Sequence, residues 1–482
     1  MKSSLSPAIV RKATSRLAKA NRIVAANYPG ESGRRQPVHT VYGGAQLFKA
    51  DIARRLGELG LRTLNEYAPD ARTLAKAIGL PGIEFSGEKH SLVNGQREES
   101  DAQSAGKQGS QRAAWLAETV YARVKSKLKR EPVEDFRVDF EDGYGNRPDA
   151  EEDEHAAAAA DETARGMAEG LLPAFFGIRI KPFSEELRAR SIRTLDIFLT
   201  TVLQKTRGKL PQNFVVTQPK ITSPEQVASL AKILDAIEQR TRLRRGAVKI
   251  ELMVETTQSI FNAKGESALP QLVAAAGGRC TGAHFGTYDY TAACNITAAH
   301  QHMLHPACDF AKHMMQVSLA GTGIHLSDGA TNVLPVPPHR PAKSGGAITP
   351  EQAAENRAVV HAAWKLHYEH IRHSLETAFY QGWDLHPAQL PTRYAAVYSF
   401  FLDGLEAAST RLRNFVGKAA QATLVGEVFD DAATGQGLLN YFLRAVNCGA
   451  LTEQEAQEYS GLTPEELRSG SFLKILKNRK KN

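Results

Sequence analysis

Two apolar runs in this chain each deliver one carboxylate at or just past their ends: VKIELMVE closes on Glu255, and GAHFGTYD closes on Asp289. Where parallel strands run out at the C-terminal face of a barrel, two acids on neighbouring strand ends can share one hard cation, so Glu255 and Asp289 are read as candidate metal ligands. A third acidic strand end occurs in FRVDFEDGYG (136–145), where Glu141 and Asp142 emerge as the apolar alternation stops. Crowded like charges raise one another's pKa, and a divalent ion or an arginine relieves them. An acidic turn that leads into a helix N-terminus accounts for the same residues. FGIRIKPFS (176–184) sets Arg179 and Lys181 on one face of an apolar strand, and a buried cation there answers the carboxylate of a structural partner or of a substrate. Lys220, behind NFVVTQP, either balances the acids or is a solvated strand-end lysine.

The elements that must position these groups alternate as βα units. Eight strand segments are predicted, at 36–44, 136–142, 174–182, 213–220, 248–255, 282–286, 321–328 and 378–387. Helical patterns separate them, as in 223–242, where Ser223 and Gln226 offer a capping box and Val227, Leu230, Ile233, Leu234 and Ile237 form one apolar stripe. Eight strands in this order point to an α/β fold, a closed (β/α)8 TIM barrel, with an open doubly wound sheet as the alternative. The expected division is an N-terminal helical segment (1–35), a barrel catalytic domain (36–389) and a C-terminal α-helical extension (390–482). Polar stretches at 85–111 and 334–350 read as a long excursion and as a lid or surface linker.

With 23% charged residues and no apolar run approaching the roughly 20 residues of a bilayer span, no membrane partner and a cytoplasmic location are expected. The first 30 residues lack a signal peptide's apolar core, because Lys12, Arg16, Lys19 and Arg22 interrupt it. The net charge of +8 is diffuse apart from the tail at 474–482, and without an aromatic-interleaved basic stripe no nucleic-acid partner is expected. Cys280, Cys294, Cys308 and Cys448 form no C-x-x-C pair and read as reduced thiols. His300, His302 and His305 lack a zinc arrangement, and His284 reads as a packed histidine or a substrate contact.

Taken in order, these segments resemble the citrate lyase β-subunit-like group, related to the HpcH/HpaI aldolases and malate synthases. Asp139, Glu141 and Asp142 match its D-x-E-D motif, Arg179 its strand arginine, and Pro219, Lys220, Thr222 and Ser223 its P-K-x-x-S element. Glu255 and Thr256 match E-T, Gly286 and Asp289 match G-x-x-D, and His386 with Pro387 matches the closing H-P pair. GTYDYT is similar to the malate synthase version.

The resemblance implies a metal-dependent carbon–carbon lyase or synthase that acts on a 2-oxo acid, or on its hydroxyacyl-CoA adduct, through an enolate. The cofactor would be Mg²⁺, with Mn²⁺ as a substitute, and a CoA thioester is a possible co-substrate. Glu255 and Asp289 would hold the metal. Arg179, Gly286, Thr287 and Tyr288 would meet the substrate, and Glu141 and Asp142 would act through metal-bound waters. Asp430–Thr434 is similar to a malate synthase segment that carries a catalytic base, which makes Asp431 the candidate here; a helix N-cap explains the same residues. Barrels of this superfamily assemble, so a homo-oligomer is expected. A CoA-independent aldolase of the HpcH/HpaI type and a degenerate barrel that only binds a small acid are the alternatives.

Overall fold

The computed structural model describes residues 4–30, 33–80, 99–341, 347–417, 423–425, 428–430 and 432–479. Eight parallel strands form a closed barrel: β1 (His39–Gly44), β2 (Asp135–Asp139), β3 (Phe175–Arg179), β4 (Phe214–Gln218), β5 (Lys249–Val254), β6 (Cys280–Phe285), β7 (His325–Ala330) and β8 (Gln381–Asp384). Closure is made by β1 against β8, with Thr40 opposite Trp383. Each expected strand segment overlaps one of these strands; five lie wholly inside their segments, while β2 and β6 begin one and two residues before theirs and β7 ends two residues beyond.

Helices precede and surround the barrel. They are α1 (Pro7–Thr14), α2 (Leu17–Asn27), α3 (Ile52–Tyr67), α4 (Ala71–Ile78), α5 (Glu99–Arg130), α6 (Asp149–Glu169), α7 (Arg188–Lys205) and α8 (Pro224–Thr241). The short α9 (Thr257–Ile260), α10 (Leu269–Ala275) and α11 (Thr287–Ala293) follow, then α12 (Pro306–Leu319), α13 (Pro350–Glu376) and α14 (Leu390–Asp403). Beyond these lie a two-stranded antiparallel ladder (Thr423–Val425 with Val428–Asp430) and helices at 405–417, 432–447, 453–460, 464–468 and 472–479. None of the described helices is long and apolar enough to cross a membrane.

Period two in the strands divides the core. Phe136, Val138, Phe176, Ile178, Val216, Ile250 and Leu252 are buried on the helix side, where Phe136, Phe176, Phe214 and Phe198 form a chain of rings with centroids 6.2–6.5 Å apart. The alternate residues face the axis, and many are polar. Arg137 donates to Glu251 (2.8 Å) and to Asp135, and Thr40 donates to Asp135 (2.8 Å). Gly177 makes room for this layer: a Cβ there would lie 2.2 Å from the Val215 carbonyl and 3.1 Å from Arg137 Cδ. Aliphatic side chains usually fill such an axis in layers; ion pairs stand in for them here.

Two expectations are corrected, and a third falls partly outside the described residues. The 85–111 excursion is not a loop throughout, because α5 already runs from Glu99; residues 81–98 lie outside the described ones. The Ser223–Gln226 box does not form, since Gln226 accepts from the Thr222 N–H (2.9 Å) and donates to the Phe183 carbonyl (3.2 Å) instead. Of the 334–350 segment, residues 342–346 lie outside the described ones, while His339 ties the remainder to α13 through Asn356 and Glu355.

The helix at the head of the C-terminal stretch, α14, is buried along nearly its whole length. It is fastened to the barrel by Arg393 on Asp384 (2.9 Å), Tyr394 on the Pro132 carbonyl (2.9 Å) and Ser399 on Tyr368 of α13 (2.9 Å).

Candidate active site

The strand ends of β2 to β6 bring the acids and cations together. Pairing of β2 with β3 sets Asp139 directly beside Arg179. The Arg179 Nε donates to Asp139 Oδ1 (2.7 Å) and Nη2 to Oδ2 (2.5 Å), and Nη1 lies 3.0 Å from Glu141 Oε2. The guanidinium carbon lies over the Tyr42 ring, 4.8 Å from its centroid, and the Trp383 ring packs against Tyr42 at 4.7 Å, tilted by 42°. Burial works against the Arg179 charge, yet Asp139 and Glu141 hold its pKa well above the ordinary arginine value.

Asp139 has a second task. Its two oxygens accept from the backbone N–H groups of Glu141 (3.0 Å) and Gly143 (2.8 Å), which ends the strand and turns Glu141 and Asp142 over the mouth. Strand geometry therefore stops at Arg179 on the neighbouring strand as well, and Lys181 leaves the site. Its ammonium meets the Phe140 carbonyl (2.6 Å) and Glu152 (3.2 Å), so it is the structural ion pair of the two readings.

Lys220 is placed by an unusual backbone. Its φ of +48° is a left-handed conformation that non-glycine residues seldom adopt. In that conformation its N–H donates to Glu255 Oε1 (2.7 Å), while its ammonium contacts Glu141 and lies 3.3 Å from Asp142 and 3.5 Å from Asp289. One lysine thus touches all four candidate acids. Burial lowers the tendency of this ammonium to stay protonated, but Glu141, Glu255 and Asp142 outweigh burial and hold its pKa above the ordinary lysine range.

Glu255, at the end of β5, is 2% exposed. Burial first, and then the charge of Asp289, push its pKa up to about 7 against the partial relief from Lys220 and Arg179. The following Thr256 donates to the Ile221 carbonyl (2.5 Å), which locks this strand end to the Lys220 segment. Asp289 stands in the first turn of α11 with its side chain 41% exposed.

Gly286 lets β6 approach Glu255, for an added Cβ would come within 2.5 Å of both Cβ and Oε2 of Glu255. Its φ of −104° is ordinary, so the obstacle to alanine is steric alone. Gly286→Ala is expected to cost about 1–3 kcal/mol of stability, read as a lowered urea midpoint at unchanged slope.

Other assigned residues point elsewhere. The Gly286 N–H is taken by the Val254 carbonyl (3.1 Å) and is not available to a substrate. Tyr288 turns its hydroxyl to the Ala330 carbonyl (2.8 Å) and accepts from the Asn332 N–H (3.0 Å), so it braces the β7 loop. The Thr287 hydroxyl is buried without a hydrogen-bond partner. His284 accepts from Trp383 (3.1 Å) and lies 3.2 Å from Glu251, which makes it a packed histidine of the axis. His386 and Pro387 cap and open a short turn after β8. Asp431 lies outside the described residues.

Tyr42 and Trp383 were not singled out by sequence reasoning, and Asp139 was named there only as the first residue of the D-x-E-D motif, without a role. Their signal was strand parity: Tyr42 follows the inward Thr40 by two residues, and Asp139 follows Arg137 by two. An apolar slot of about 190 Å³, lined by Tyr42, Leu47, Phe48, Leu385 and Pro387, opens beside Tyr42. A cavity of about 1070 Å³ lies at the opposite, N-terminal end of the barrel, among Gln36, Glu134, His325 and Tyr380, remote from the carboxylates.

By charge and atom type the mouth fits a hard divalent ion. Five carboxylates (Asp139, Glu141, Asp142, Glu255, Asp289) face two cations (Arg179, Lys220). Magnesium needs only one or two protein carboxylates and keeps several waters. Among the described residues no group of three or more metal-ligating side chains is assembled, and the Lys220 ammonium stands among the acids. An ion between Glu255 and Asp289 requires that flexible, 30% exposed side chain to swing off Asp289.

Solved structures resemble this architecture. A citrate lyase from Burkholderia xenovorans LB400 is similar at 17% identity and a TM-score of 0.50, over 70% of this chain and 91% of that one. A Haloferax volcanii malate synthase, solved as a magnesium/glyoxylate complex, gives 11% identity and a TM-score of 0.41 over 90% and 97%. An HpcH/HpaI aldolase/citrate lyase family protein from Burkholderia cenocepacia J2315 gives 13% and 0.32 over 61% and 89%. At 17% identity the likeness to the citrate lyase bears on the TIM-barrel fold alone. No curated protein matches the sequence. One family model covers residues 17–475, and the chain belongs to that family, described as a domain of unknown function, DUF6986.

Proposed function

We propose that the barrel mouth makes or breaks a carbon–carbon bond beside the carbonyl of a 2-oxo acid, with Mg²⁺ held by Glu255 and Asp289. The observation that carries this reading is that the buried Glu255 at the end of β5 and Asp289 in the first turn of α11 converge on one residue, Lys220, at 2.7 Å from its N–H and 3.5 Å from its ammonium, a gathering of acids whose repulsion a divalent ion relieves. When bound, the ion would polarise the ketone of the 2-oxo acid and stabilise an enolate.

The chain's own groups supply the remainder. Arg179, gripped by Asp139 and lying over the Tyr42 ring, presents a fixed positive charge to developing negative charge. Glu141 and Asp142 hold Lys220 and orient water. The slot by Tyr42 and Pro387 offers room for the apolar part of a second reactant, whether acyl thioester or aldehyde.

The test is free-thiol release from acetyl-CoA with glyoxylate or pyruvate, beside pyruvate aldol cleavage without CoA. Turnover is expected to need Mg²⁺ and to fall at least about a thousandfold in Glu255→Gln, as for loss of a preorganised electrostatic group. Equal rates in chelator would overturn the metal assignment. That result would favour a second reading, suggested by Lys220 itself, in which its ammonium takes the place of the ion among the acids.

A further inference from the structure

Lys220 reaches four of the five acids of the mouth, all but Asp139, and it does so from two atoms with different freedom. Its backbone N–H is fixed on Glu255 by the left-handed turn and by the Thr256 clamp on Ile221. Its ammonium rides on a four-carbon stem and is shared among Glu141, Asp142 and Asp289. The acid it holds most loosely, at 3.5 Å, is Asp289, the partner of Glu255. A monovalent cation tethered within reach of two proposed ligands competes with any divalent ion for the same oxygens, and its effective concentration there is high because it is part of the chain. Arg179 cannot play this part, since Asp139 engages its Nε and Nη2 in a buried fork.

We propose that Lys220 is a built-in competitor that sets how tightly the mouth holds a divalent cation: its ammonium must leave Asp289 before the ion can bridge Asp289 and Glu255. This rests on the metal reading of those two acids. The consequence is a site that loads weakly when empty of substrate. It loads firmly when an anionic substrate draws the ammonium off, because the substrate carboxylate takes the charge that Asp289 gives up.

The test is Mn²⁺ binding to the full chain, followed by loss of the free-ion electron paramagnetic resonance signal, so that no turnover is needed. Wild type is expected to bind one Mn²⁺ saturably, and Lys220→Met and Lys220→Gln at least tenfold more tightly. Lys220→Arg should stay near wild type. Adding pyruvate should tighten Mn²⁺ binding in wild type and have a smaller effect in Lys220→Met.

Unchanged or weaker binding in both neutral variants, with circular dichroism and melting curves showing them folded, overturns the competitor role. If binding in those variants is still lost in Glu255→Gln, the metal reading survives that failure. No saturable Mn²⁺ site in wild type or in either neutral variant overturns both.

Discussion

Replacing Arg179 by methionine is expected to lower the free energy of unfolding by about 3–5 kcal/mol, the cost of stripping the partner from a buried ion pair. Asp139 is 1% exposed and Glu141 7%, so neither carboxylate can turn to water when the guanidinium goes. Much of the loss then belongs to the orphaned acids, and the double variant Arg179→Met, Asp139→Asn should recover about half of it. Full recovery is not expected, because an asparagine amide would meet one of the two backbone N–H donors, of Glu141 or Gly143, with an N–H of its own. Urea unfolding of wild type and the two variants decides the matter. A single-variant cost under about 1 kcal/mol would mean that the pair is far more hydrated than its burial implies.

Glu255 makes the second large prediction, on pH. Its carboxyl keeps a proton in the folded chain up to about pH 7, while the ordinary value in an unfolded chain is 4.5. Between those limits the folded state binds more protons than the unfolded one. The contribution to stability is therefore fully present below about pH 4.5 and is lost as pH rises through 7, a total on the order of 3 kcal/mol. In chelator, wild type should lose that much against Glu255→Gln between pH 5 and pH 8, because glutamine keeps the acceptor for the Lys220 N–H and does not ionise. Parallel stability curves for the two proteins would show that Glu255 titrates as an ordinary carboxylate.

Much of the barrel was legible because its strands are bounded apolar runs separated by amphipathic helices, and period two named the inward Arg179. What the pattern could not show was where a strand stops. The run FRVDFED reads as strand to 142, yet pairing ends at Asp139 because that side chain captures the N–H groups that the ladder would need. The same event places Lys181 on Glu152 instead of in the mouth. Helix caps were misread for a similar reason: the side chain of Gln226 has a better partner across space, the Phe183 carbonyl, than the local one. The start of α5 at Glu99 was hidden by a Ser- and Gly-rich composition without apolar period. At the site, type and spacing named Glu141, Asp142, Arg179, Lys220, Glu255 and Asp289, and the fold brings these together. The bracing role of Tyr288 and the occupied Gly286 N–H depend on β7 and β5 neighbours that no local pattern reveals.

The polar axis has a consequence for how such a barrel can change over generations. Arg179 on Asp139 at the top and Arg137 on Glu251 and Asp135 below are neighbours of a single ring, Tyr42, and share its surroundings. A lineage that alters one charge in this column leaves its opposite number stranded in a dry interior. Drift toward new substrates should therefore proceed by exchanges of complementary pairs, or be confined to the rim, where Asp142 and Asp289 still touch solvent.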